Sequence, residues 1–144
     1  MANDEIKDVA NTIELGDNLG ENADLYEDAF PGHLMYWVDA DSVAKYPAND
    51  IQPLAGVLDT KYDHDLGSAI SSGVAVHVTN EGWVAAWIDN PGGTKYRGTE
   101  LFRPKSTAGV LSFTASGAEA PLAKLAADVA SGDTVARIKL LRGG

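Results

Sequence analysis

Apolar and polar residues alternate through much of this chain with the period of a strand. From Gly73 to Ile88 the sequence reads GVAVHVTNEGWVAAWI. Val74, Val76 and Val78 alternate with Ala75, His77 and Thr79, a period of two that sets one face against a core. Thr79-Asn80-Glu81-Gly82 then supplies residues that tolerate positive φ. Trp83 to Ile88 resumes the β-forming pattern. The spacing predicts a β-hairpin with its turn at 79–82. Five turn formers, Asp89-Asn90-Pro91-Gly92-Gly93, close it.

The same reading extends to both sides. His33 to Val38 is rich in β-formers, and Val43 to Tyr46 is a short strand ended by Pro47. Pro53 to Asp59 is another strand, in which Gly56 suggests a bulge or a close backbone approach. Leu66 and Ile70 could each pair within the polar stretch 61–72. A strand is expected around Glu100-Leu101-Phe102-Arg103, stopped at Pro104, and another over Gly109 to Thr114. Thr134 to Leu141 alternates cleanly, with Val135, Arg137 and Lys139 against Ala136, Ile138 and Leu140. Leu122, Leu125, Ala126 and Val129 are spaced as a helical stripe, and the alanines favour a helix on propensity. Seven or eight short strands with turn signals every eight to fifteen residues predict an all-β barrel or sandwich. There is no βαβ alternation to suggest a parallel sheet.

Residues 1–30 read differently. Ile6, Val9 and Ile13 fall at i, i+3 and i+7, one helical stripe, yet an isolated helix this short is marginal in water. The segment is too polar for a core of its own and too apolar for a purely solvated tail. It is expected to be an N-terminal arm ahead of a barrel domain over 31–144, packed on its own domain or on a neighbouring subunit.

Composition narrows the function. The 144 residues suit one domain and contain no cysteine, which excludes disulfides and thiolate metal sites. No apolar run approaches the roughly 20 residues of a membrane span, and the acidic start MANDEIKDVAN is not read as a secretory signal. The formal charge is −10. Residues 1–65 hold fifteen acids and three lysines, a balance of −12, while residues 66–144 hold six acids and eight bases. That distribution disfavours nucleic acid and anionic membranes as partners. Asp outnumbers Glu by fourteen to seven, which suits either a salt-loving host, where screening removes self-repulsion, or an ordinary acidic protein.

Candidate chemistry is sparse. His33, His64 and His77 match no local metal-ligand spacing. Asp59, Asp63 and Asp65 lie near one another, but the order of acids and glycine that calcium loops use is missing. No nucleophile elbow or phosphate loop is present. No catalytic residue, metal or cofactor is expected. Trp83 and Trp87 share a strand face, and with Trp37 they leave a carbohydrate-binding or adhesion module as an alternative function. A small hydrolase would need converging histidines and carboxylates. Lys95, Arg97, Arg103 and Lys105 form a local basic cluster suited to an acidic patch on an identical or different subunit.

A resemblance joins these pieces. Phe30-Pro31-Gly32-His33-Leu34-Met35, Leu54-Ala55-Gly56-Val57-Leu58-Asp59, Gly73-Val74-Ala75-Val76-His77-Val78, Gly82-Trp83-Val84, Gly98-Thr99-Glu100-Leu101, Gly109-Val110-Leu111 and the terminal Ala126 to Leu141 share their glycine-punctuated rhythm with one family. The chain resembles, over about residues 28–142, the capsid decoration (cement) proteins of tailed viruses. The resemblance implies a small barrel on the outer surface of the capsid, bound to the major capsid protein, often as a homotrimer, with a terminal arm reaching a neighbour. It also implies a strand over 122–129, where propensity favours helix, and the strand is the expectation adopted, since tertiary context overrides propensity. The expected interface residues are Ile6, Val9, Ile13 and Leu15 of the arm and the bases Arg97, Arg103 and Lys105.

Overall fold

A computed structural model describes residues 19–141. These residues form an all-β fold of eight strands and no helix: β1 (Leu19–Leu25), β2 (Leu34–Trp37), β3 (Ser42–Lys45), β4 (Leu54–Leu58), β5 (Ala75–Trp87), β6 (Glu100–Leu101), β7 (Ala123–Leu125) and β8 (Val135–Leu140). Five of them close into a ring. β1 runs parallel to β3, with Leu25 opposite Val43, and antiparallel to β5, with Ala23 opposite Val76. The antiparallel pairs β3–β2, β2–β4 and β4–β5 complete the circuit. Closure leaves the barrel no open edge. The C-terminal half of β5 leaves the ring and continues into a second sheet with β8, β7 and β6, all antiparallel.

β5 overturns the expected hairpin. It runs unbroken through 13 residues, and the stretch 79–82 is a bulge rather than a turn. Gly20 lies opposite Thr79 and Leu19 opposite Glu81, so Asn80 is the extra residue. Gly82 follows with φ +112°. The Asn and Gly that permit a chain reversal equally permit a bulge, and a bulge bends the strand that carries it. That bend lets one strand serve both sheets. Gly56 is the close approach expected from sequence: at φ +138°, a β-carbon there would stand 2.3 Å from the Thr79 carbonyl oxygen. The β2–β4 register slips at the same place, with Met35 opposite Gly56 and Tyr36 opposite Leu54.

Two cores result. Ala23, Leu25, Met35, Val43, Leu58, Val76 and Val78 fill the barrel. Leu34, Val57, Val84, Ala86, Leu101, Leu125, Ile138 and Leu140 fill the space between the barrel wall and the second sheet. β2 and β4 are that wall. Leu34 and Val57 face one core, and their neighbours Met35 and Leu58 face the other. Strands buried on both faces need near-continuous apolar runs, which is why LMYW and LAGVL show no alternation. β8 has one buried face, and it alternates: Ala136, Ile138 and Leu140 are buried while Arg137 and Lys139 are not.

Other expectations divide. Residues 123–125 are strand, with Leu122, Ala123 and Leu125 buried, so packing overrides helix propensity there. The strand expected over 109–114 is absent. Leu111 and Ser112 make only single bridges, to Ile88 and Phe102, and Gly109, at positive φ, ties the start of the stretch to Tyr46 and Leu34 by backbone bonds. Ile70 makes one bridge, to Ala29. Of the stretch 1–30, residues 1–18 lie outside the described residues, and Leu19–Leu25 is a barrel strand.

Candidate interaction surfaces

Charge is divided between the two parts of the fold. Residues 19–65, which supply four of the five ring strands, carry ten acids and two lysines. The second sheet carries basic residues on its outward face. Register places Trp83, Lys139, Lys124 and Glu100 directly opposite one another across β5, β8, β7 and β6. The Lys139 Nζ lies 5.5 Å from the Trp83 ring centre, a cation–π contact. Arg137 stands two residues along β8 on the same face, opposite Ala85.

One end of the barrel shows the opposite character. Asp24 donates its N–H to the Asp41 carbonyl (2.8 Å), and Leu25 donates to the Val74 carbonyl (3.0 Å). The Asp39 carboxylate accepts from the N–H groups of Asp41 and Ser42, each at 2.9 Å. These bonds, that from Asp41 foremost, hold its carboxyl below the usual range. Tyr26 and Val74 emerge among these acids, 61% and 38% exposed.

The basic residues expected at an interface are partly used within the chain. Arg103 Nε lies 3.3 Å and Lys105 Nζ 2.8 Å from the carboxylate of Glu119, whose side chain is only 2% exposed. Ser116 and Arg103 donate their backbone N–H groups to the same carboxylate. Burial opposes ionisation of Glu119, but the Lys105 bond, the two N–H groups and the Arg103 charge outweigh it and hold the carboxyl below its usual range. Arg97 is exposed, its N–H bonded to Asp128 at 2.8 Å. Ile6, Val9, Ile13 and Leu15 lie outside the described residues.

The histidines stay apart. His33 packs edge-on to Phe30 and tilted against Trp87, and its Nδ1 accepts the Phe30 N–H at 3.2 Å. Burial, assisted by the charge of Lys45, pushes its pKa down to about 4. Its ordinary value, and hence its unfolded value, is 6.5, so the unfolded chain takes up a proton that the folded chain refuses between these two limits. Stability contributed by neutral His33 is therefore present above pH 6.5 and falls as pH drops towards 4. The urea midpoint should fall across that window, and the His33→Phe variant should lose that slope.

His77 Nδ1 lies 2.5 Å from the Asp59 carboxylate, which also accepts from the Thr79 hydroxyl at 2.7 Å. Asp59 is thus committed to its own strand neighbours, and its other oxygen accepts the Lys61 N–H. His64 contacts the Ala75 carbonyl. Among the described residues no group of three histidines or acids is placed to hold a metal.

The three tryptophans do not form one platform. Trp37 packs against the barrel core. Trp87 donates its indole N–H to the Pro31 carbonyl at 3.0 Å and is flanked by Phe30 and His33. Sequence adjacency pointed to the cluster 95–105. It missed the face built by Lys124, Arg137 and Lys139, whose signal was the outward phase of β8.

No family model matches the sequence, and no curated protein matches it. Solved structures share the fold. A chain described under "The capsid of Myoviridae Phage XM1" superposes with a TM-score of 0.62 at 15% identity, over 90% of this chain and 87% of that one. The head fibre gp8.5 N base of bacteriophage phi29 superposes with a TM-score of 0.54 at 12% identity, over 87% and 95% of the two chains. The resemblance read from sequence implied a small barrel found on virus heads, and both of these barrels come from phage heads.

Proposed function

We propose that this chain is a structural protein of a tailed-virus head, made in the host cytoplasm, that decorates the outer surface of the shell and stabilises the major capsid protein lattice. One observation carries the reading: over 90% of its length this chain shares its fold with a chain of a phage capsid. The work is done by buried area, with no bond made or broken. Burial of apolar surface across subunit joints contributes roughly 25 cal/mol per Å² before ordering costs. Many copies on one shell multiply a modest contact. The copies associate as a homotrimer, and the segment 1–18, with Ile6, Val9, Ile13 and Leu15, reaches across a joint.

Undecorated shells of the cognate virus test this directly. The purified protein should cosediment with them to a fixed ratio and raise the temperature at which they break. Protein that stays in the supernatant at every concentration would overturn the reading.

A further inference from the structure

We propose that copies of this chain join head to tail, with the Lys124, Arg137 and Lys139 face of one copy seated on the acidic barrel end of the next, around Asp24, Asp39 and Asp41. The proposal deepens the oligomer named above. It needs no shell, so it can fail while shell binding stands.

The basic face carries a repulsion that Glu100, opposite Lys124 on β6 but outside ion-pair distance, offsets only in part. Lys124 and Lys139 lie directly opposite on adjacent strands, and like charges in that position destabilise a sheet. Among the described residues, no carboxylate comes within ion-pair distance of Lys124, Arg137 or Lys139. Carboxylates brought by a partner would relieve them. The lysine stems lie along this face beside Trp83, and the half-buried Val135 follows further along β8, opposite Trp87, which gives the face an apolar part as well.

The barrel end is its complement. Tyr26 and Val74 are exposed apolar side chains rimmed by Asp24, Asp39 and Asp41. An apolar centre with a charged rim is the anatomy of a protein contact. A contact of either surface with its own copy would set like charge on like, so each surface needs the other; joined head to tail, such contacts close into rings when the rotation permits.

Sedimentation of the full chain reads the outcome. Wild type should show a multi-chain species that dissociates between about 0.1 M and about 1 M salt, as the screening length falls from ~10 Å to ~3 Å. K124Q/K139Q and D24N/D41N, all surface changes, should each raise the dissociation constant on the order of tenfold or more. Circular dichroism checks that both remain folded. Mixed, the two variants should form a pair and grow no further, because each retains the one surface that the other lacks. A single-chain wild type at both salts would overturn the proposal. So would a wild-type mass for either variant, or a mixture that fails to pair.

Discussion

Gly56→Ala should lower the free energy of unfolding by about 2–6 kcal/mol, from about 1–3 for the backbone and a similar amount for overpacking. Two effects add at this position. The residue holds φ +138°, which a side chain rarely adopts, and its β-carbon would meet the Thr79 carbonyl carbon at 2.8 Å and its oxygen at 2.3 Å. The obstacle is backbone at the bulge of β5, so no rotamer change relieves it. A β-carbon at Gly20 meets backbone too, the Val78 carbonyl oxygen at 2.4 Å beside the His77 ring at 2.3 Å, but without a positive φ. Gly67 has no atom within 4 Å and no positive φ, so Gly67→Ala is the control. Urea denaturation decides the matter. Equal midpoints for the two alanine variants would show that the close approach of Gly56 to the bulge carries no such cost.

Leu58→Ala should cost about 2–5 kcal/mol, the range for emptying a buried leucine site. That is a large share of the ~5–15 kcal/mol that holds a domain folded. Leu58 is wholly buried in the barrel core, while Val57 beside it is wholly buried in the other. β4 therefore transmits the loss. The barrel and the second sheet should unfold together, with fluorescence from Trp37 in one and Trp83 in the other giving coincident curves. A second sheet that outlasts the barrel would show that the shared wall does not couple them.

The sequence carried the fold class because faces and turns are local. The alternation of β8 follows from one buried face, and the apolar runs of β2 and β4 follow from two. The path of β5 was not legible. Asn80 and Gly82 suit a turn and a bulge alike, and what decides between them is the ring pairing of Leu19–Leu25, some sixty residues away. Residues 109–114 misled for a related reason: their composition is that of a strand, but they bridge two elements at single points. Adjacency in sequence says little about how charges pair. Arg103 and Lys105 stand close in sequence, yet their partner Glu119 is sixteen and fourteen positions on, respectively. Lys124 and Lys139 are far apart in sequence and meet only through strand register.

Closing the ring through β1 also sets the order of assembly during synthesis. Leu19 must wait for Glu81, sixty-two positions later, before it finds its place. The far half of β5 must in turn wait for β8, near the end of the chain. Such long-range pairings are slow to form. The barrel core, whose residues all precede Glu81, can be sealed once β5 has emerged from the ribosome, while the other core stays open until β8 follows. The half-made chain therefore carries a closed barrel whose outer wall, β2 and β4, still shows Leu34 and Val57 to water until the second sheet covers them.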